Sequence, residues 1–489
     1  MKIDSIFPKA AYRRLFAAAC AMLLAFALLL APVEVQAAES KGRSQAELKE
    51  AYELISRFHV SGKQLDPSSY SSVDEMIASL GDPYTEFFDE DEMQQFMNSI
   101  DLNYAGIGMR IGQDDGGYVV VETFQNSPAR EAGLLSGDYI VAINGTKTEH
   151  LALHEVSYGI RGPEGMPVYL TVNRDGQLIE VKIVRKMINL PEVEGGILDG
   201  GIGYLSLSSF SSDADENFAF ILNDFKKIGI KGLVIDLRDN GGGLLDTAQQ
   251  IAKQFIPEGV LMHVKDRYKE GEVTIANGTS VEFPVVILVN GNSASASEVL
   301  AGALQDYGKA KIVGQKTYGK GSVQVLYQMY TGGVLKLTVQ EYYTPNKKPV
   351  DQVGIEPDIE VEGVIAQLIY AARDAGLQDF RLELKKHSYL LNGMEFFDDT
   401  PLRQIDKSHY VQARALAALV NAPVGWNETL HGLEIGSGDS VHTFTQENGL
   451  MIVNGTGYIE LQAFLDAYPQ LEADITDGGV VLALKGSAQ

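Results

Sequence analysis

The sequence predicts a multidomain α/β protein with a helical N-terminal segment, a compact β-rich module, an α/β core and a small α+β C-terminal appendage. Three observations predict it. At 489 residues the chain is too long for one hydrophobic core, because single cores stop growing at about 250–300 residues. Residues 200–362 alternate strand-like apolar runs with helical patterns, as a sheet covered by helices requires. Residues 101–188 instead carry short strand-like runs broken by turn signals such as Asn144-Gly145. The balance of 40 basic and 65 acidic residues leaves a formal charge of −25. That argues against nucleic acid as a partner, since such binding rests on cationic contacts to phosphate. Apolar content of 45% fits a folded chain.

In order, residues 1–37 read as a signal peptide or an N-terminal anchor. Lys2, Lys9, Arg13 and Arg14 precede an apolar run from Leu15 to Ala31, and Val35-Gln36-Ala37 offers a small-residue cleavage site. Either reading puts the remainder outside the cytoplasm, secreted or held at the cell membrane. The single cysteine, Cys20, lies in this segment, so a processed chain has no disulfide and no thiol chemistry. Residues 38–100 form the helical segment. Leu48, Ala51, Tyr52 and Ile55 share one helix face, and Leu80-Gly81-Asp82-Pro83 ends a second, shorter helix.

The β-rich module spans residues 101–188. Tyr104-Ala105-Gly106-Ile107-Gly108 opens a strand, Ser127-Pro128 starts a capped short helix, and Gly137 to Gly145 reads as a strand ending in a tight turn. His150 and His154 have the i, i+4 spacing that can bind metal on a helix face, but no third ligand accompanies them beyond the adjacent Glu155.

Residues 189–375 hold three stretches that carry chemistry. Ser293-Ala294-Ser295-Ala296-Ser297-Glu298 follows the apolar run Val285 to Val289. It offers a serine at a strand-to-helix turn, with room for a carbonyl to approach, and equally an N-capping serine cluster. Thr317-Tyr318-Gly319-Lys320-Gly321 supplies a lysine that could deprotonate that serine, and Gln324 lies four residues further on. Gly314 to Lys320 also reads as the start of a P-loop, but Gly321 stands where magnesium binding needs Ser or Thr. Asp239-Asn240-Gly241-Gly242-Gly243 follows a buried-strand run, where glycines let the backbone turn tightly or approach a ligand. None of the eight histidines falls in these stretches, which favours lysine over histidine as a base near Ser295. At the reference lysine pKa of about 10.4 almost none is neutral at pH 7, so such a base needs desolvation.

In this order and spacing the three stretches resemble the carboxyl-terminal processing proteases, also called tail-specific proteases. The resemblance covers residues 42–375 and implies an α/β serine peptidase core. It implies Ser295 as nucleophile, Lys320 as general base, Gln324 as the group that positions the base, and Gly242 and Ala296 as oxyanion donors. Tyr318 and Gly241 stand where many members have Phe and Pro. Residues 101–188 resemble a PDZ domain. That implies binding of a peptide C-terminus, with Gly106, Ile107 and Gly108 as the carboxylate loop. The family further implies that peptide binding helps align the catalytic residues. Arg161 is the candidate for that contact, a solvated turn arginine being the alternative. The implied function is an exported serine endopeptidase with a Ser–Lys dyad, cleaving proteins near their C-termini and gated by the PDZ domain. No cofactor or metal is implied. A PDZ sensor with an inactive core is the rival. The N-terminal helices resemble the family's N-terminal segment, which implies a homodimer, a helical cap on the core being the equal alternative.

Residues 376–489 contain a loose repeat, Tyr410-Val411-Gln412-Ala413 and Tyr458-Ile459-Glu460-Leu461, each copy read as an amphipathic helix before a proline. Asn392-Gly393 and Asn454-Gly455 mark turns. The segment resembles a copper amine oxidase N-terminal-like module, with no copper site implied. It is expected to fold independently, leaving peptide cleavage intact without it, with a cell-wall or envelope partner as a role for it; completing a dimer is the opposite alternative. Trp426 is expected in its core.

Overall fold

The computed structural model describes residues 45–484 except 115, 399, 477 and 478. The signal or anchor segment therefore lies outside the described residues. Among the described residues no helix is long and apolar enough to cross a membrane. The chain divides into two compact units.

Among the described residues, the first unit combines residues 45–93 with Asp266–Tyr268 and Val323–Gln340. Helix Gln45–Phe58 turns Ala51 and Ile55 inward, as the spacing of its apolar residues requires. Helix Val73–Ala78 is capped by Ser72, whose hydroxyl accepts from the Glu75 N–H. Gly81, at φ +71°, closes the following turn. Strand Glu86–Phe88 pairs antiparallel with residues 334–336, and Phe87, Met329, Leu335 and Leu337 complete the core.

The second unit holds a six-stranded sheet. Strand Val193–Leu198 lies antiparallel at its edge. Strands Ile202–Leu207, Gly232–Asp236, Val285–Val289, Lys311–Gly314 and Ile359–Glu360 follow in parallel register. Strands Gly232–Asp236 and Val285–Val289 are buried along their whole length, which is why they read as unbroken apolar runs. The β-rich module has its own core, around Ile107, Val120, Ile140, Val156 and Leu170. Its hairpin turn places Asn144 at φ +48° and Gly145 at φ +83°, the two left-handed positions that Asn-Gly accepts most readily.

Residues 376–484 differ from expectation in three ways. Each repeat copy begins as a strand and only then turns helical. Strand Ser408–Gln412 leads into helix Ala413–Leu419, strand Thr456–Glu460 leads into helix Leu461–Ala467, and the two strands pair antiparallel. The apolar residues at the start of each copy alternate across a sheet and do not line a helix. Second, the segment does not form a core of its own. Leu382, Tyr389, Leu391, Leu416 and Leu482 join one continuous cluster with Val286, Leu288, Ile365 and Leu368. The Tyr204 and Phe396 rings meet edge to face at 5.0 Å, and Asn392 Nδ2 donates to the Asp199 carbonyl at 2.8 Å. Third, Trp426, expected in the core, is 40% exposed.

Candidate active site

The three motif stretches share one cause for their proximity. Strands Gly232–Asp236, Val285–Val289 and Lys311–Gly314 are consecutive neighbours in the parallel sheet. The loops 237–244, 290–295 and 315–321 all leave from their C-terminal ends, where open α/β sheets place their sites.

Ser295 lies at the sharp turn into helix Ala296–Asp306, half-buried, at φ +56° and ψ −114°. A non-glycine residue there stores strain on the order of 1–3 kcal/mol, and persists only where its surroundings over-determine it. They do so here. The Ser295 N–H donates to Glu298 Oε2 at 2.9 Å. Ala294 N and Ser297 Oγ donate to the Asn240 carbonyl at 3.1 and 2.9 Å, and Ser293 Oγ donates to the Leu237 carbonyl at 2.7 Å. Ala296 opens the helix, and the positive end of the helix lies at Ser295.

Glu298 is fully buried and gathers the Lys320 segment to the same turn. Its carboxylate accepts from Thr317 Oγ1 at 2.6 Å, Gly319 N at 2.7 Å and Lys320 N at 2.9 Å. Burial pushes this carboxyl above the ordinary glutamate range, and the donated hydrogen bonds pull against that rise. Lys320 is half-buried. A Cβ on Gly321 would come within 2.1 Å of the Asp351 main-chain nitrogen, so the Ser or Thr of a P-loop has no room there.

Gly242 packs directly on the Ser295 turn. At φ +106°, a Cβ on it would stand 2.9 Å from Ser295 Cβ. Its own N–H, however, donates to Asn240 Oδ1 at 2.8 Å. Asn240 is in turn anchored by Nδ2 to the Leu207 carbonyl at 2.7 Å. Beneath the loop, Asp236 and Arg238 form a buried ion pair, with Nε–O distances of 2.9 and 3.1 Å, and Tyr204 donates to Asp236 Oδ2 at 2.7 Å. Burial opposes the charged form of Arg238, but Asp236 outweighs it and holds the guanidinium pKa above its ordinary value.

Gln324 belongs to the first unit, on strand Ser322–Gln328. Its Nε2 donates to Thr338 Oγ1 at 3.3 Å. The chain continues from Thr338 N to Thr85 Oγ1 at 3.1 Å, and from Thr85 Oγ1 to Asp82 Oδ2 at 2.6 Å. His59 Nε2 reaches the same Asp82 oxygen at 3.1 Å.

In the β-rich module a cavity of about 180 Å³ opens between strand Met109–Asp114 and helix Leu153–Ile160, with Tyr104, Ile107, Met109, Ile111, Leu153 and Arg161 among its lining residues. Gly108 also lines it and Gly106 ends the adjoining strand. A Cβ on Gly108, at φ +73°, would collide with Ser127 at 2.5 Å. The Arg161 guanidinium lies 4.8 Å from the Tyr104 ring centroid, at the exposed end of the groove. His150 precedes the helix that carries His154, so the two do not share a helix face.

Comparison with known proteins decides the family. The sequence pattern of Peptidase family S41 matches residues 201–361, and that of a PDZ domain matches residues 105–184. The carboxy-terminal processing protease CtpB of Bacillus subtilis (strain 168) is 33% identical over 338 residues, spanning 68% of this chain and 70% of the relative. The chain belongs to peptidase family S41. It is a serine-type peptidase with a PDZ domain. A carboxy-terminal-processing protease of Bartonella bacilliformis is 36% identical across 60% of this chain and 69% of its own length. The solved structure of a photosystem II D1 C-terminal processing protease is 25% identical, covers 66% of this chain and 94% of its own, and has a TM-score of 0.47.

Within this S41 chain, Glu298 holds the turn without being one of the residues that the sequence pattern singles out for catalysis. The spacing Ser295-Ala296-Ser297-Glu298 is a capping-box pattern, and that signal identifies a carboxylate turned back on the Ser295 N–H. Tyr342, whose hydroxyl lies 3.1 Å from the Ser295 carbonyl and 2.8 Å from that of Lys320, carries no local signal.

Proposed function

We propose that this peptidase is exported and cleaves proteins near their C-termini, with Ser295 as nucleophile, Lys320 as general base and Gln324 as the group that orients the base. The observation that carries the reading is the strained Ser295 at a helix start, tied through Glu298 to the main chain of Lys320.

Lys320 takes the Ser295 hydroxyl proton as Oγ attacks the substrate carbonyl, and returns it to the leaving amine. The Ala296 N–H and the positive helix end stabilise the oxyanion. Gly242 joins them only when its N–H leaves Asn240 Oδ1, because one N–H cannot serve both acceptors fully.

The PDZ groove receives the substrate C-terminus, its carboxylate held at Gly106, Ile107 and Gly108. Arg161, at the rim of that groove, transmits occupancy to the peptidase. For such coupling the peptide must bind the active arrangement better than the resting one. The names of the relatives support C-terminal processing, and the leader-like residues 1–37 support export.

The test is mass spectrometry of fragments released from an unstructured protein, with free and amidated C-termini. Cuts clustered near a free C-terminus, slowed by amidation, and blunted activation in Arg161→Ala support the reading. Cuts scattered along the chain and indifferent to amidation contradict it.

A further inference from the structure

We propose that Tyr342 is a positioning residue for the reaction, its hydroxyl fixing the nucleophile turn against the segment that carries the base. This rests on the reading of Ser295 and Lys320 given above. Tyr342 lies on strand Val334–Tyr343 and is 3% exposed. Its hydroxyl reaches the main-chain carbonyls of both residues, at 3.1 Å for Ser295 and 2.8 Å for Lys320. Its own N–H donates to the Gly321 carbonyl at 2.8 Å, so one residue grips two consecutive peptide groups of the base segment.

Glu298 grips the same two residues with the opposite polarity, through the N–H groups of Ser295 and Lys320. Ser295 and Lys320 are thus yoked at both their N–H and C=O groups. A hydroxyl has one proton, which these two carbonyls share. The Ser295 carbonyl also accepts from Val299 N at 2.9 Å, so loss of the hydroxyl removes a cross-link without orphaning that oxygen. What it releases is geometry. Ser295 holds a conformation that relaxes when fewer contacts constrain it, and a displacement of about 1 Å at reacting groups costs roughly 10²-fold in rate. Because Tyr342 is buried beneath the turn, the loss falls on turnover and spares peptide binding.

The experiment is Tyr342→Phe, which keeps the ring and removes the hydroxyl. Expected are a kcat lowered about 10- to 100-fold, an unchanged KM, and a displaced rising limb of kcat/KM against pH, the limb that reports the free enzyme's base. Thermal unfolding near the wild-type temperature accompanies these changes. A wild-type kcat with an unmoved limb overturns the proposal. Ser295→Ala and Lys320→Ala run beside it. If both are inactive while Tyr342→Phe is normal, this proposal alone falls. If Lys320→Ala turns over normally, the dyad reading falls and takes the proposal with it. Should the Phe variant fail to fold, 3-fluorotyrosine introduced at position 342 changes donor strength with little change in packing. An unaltered kcat and pH limb in that protein also overturns the proposal.

Discussion

The main-chain N–H groups of Ser295 and Lys320 converge on a single oxygen, Glu298 Oε2, at 2.9 Å each. The Ser295 turn and the Lys320 segment are therefore registered by a buried carboxylate that belongs to the helix Ser295 begins.

Glu298→Gln should lower turnover by about 10²-fold, because an amide NH₂ would oppose N–H and O–H donors that need acceptors. The pH dependence has a definite sign. Burial raises the carboxyl above its ordinary value of 4.5. The folded state then holds the proton more tightly than the unfolded chain, so stability falls as pH rises from 4.5 through the raised value. Activity runs the other way, since only the ionised group accepts all four bonds. Over that window the wild type should gain kcat while its Tm falls relative to Glu298→Gln. A Tm difference that stays flat there would remove Glu298 as the source.

Asp236→Asn should destabilise the fold by about 3–5 kcal/mol in urea unfolding, because it leaves the Arg238 guanidinium buried without its counter-charge. A loss under about 1 kcal/mol would place the pair among solvent-screened surface bridges.

Much of this site is legible in the sequence because it is local. Ser293 to Glu298, Thr317 to Lys320 and Asp239 to Gly243 each follow a strand of one parallel sheet, and apolar runs with glycine-rich turns announce strand ends. The Asn144-Gly145 hairpin is legible for the same reason. Tyr342 is not, because its role depends on which strands pair, and pairing leaves no mark near residue 342. Glu298 lay in between, visible as a capping box but not as an acceptor for a second loop. The repeats at Tyr410 and Tyr458 misled because an apolar pattern crosses from strand to helix within seven residues.

A chain truncated after Gly376 should not remain a folded peptidase, contrary to what the repeat alone implies. Helix Val364–Asp374 buries Ile365, Leu368 and Ile369 in a cluster that continues into residues 380–482. Removing that cover exposes an apolar face, and aggregation or loss of cooperative unfolding is expected. A monodisperse truncated protein with wild-type peptide turnover would show the segment to be dispensable.

Lys386→Ala should loosen the strand that lines the PDZ groove. Asp114, at the end of strand Met109–Asp114, accepts from Tyr139 at 2.8 Å and pairs with Lys386 at 3.0 Å. Burial works against the ionised Asp114, but these partners hold its carboxyl below the usual range, so this contribution persists at neutral pH and is lost as pH falls through the lowered value. Hydrogen exchange in residues 109–114 should quicken at pH 7 in the variant, with a global loss of only about 1 kcal/mol or less. Unchanged exchange would leave Lys386 without a role at this contact.

The central claim is that Ser295 and Lys320 act as one nucleophile–base unit. The most direct measurement is kcat/KM for Ser295→Ala, Lys320→Ala and the double variant on one unstructured peptide, each first shown to be folded by its unfolding transition. Each single change should abolish cleavage by about 10³-fold or more, and the double should be little worse than either, because members of such a unit fail together. A folded Lys320→Ala protein that cleaves at the wild-type rate would contradict the account.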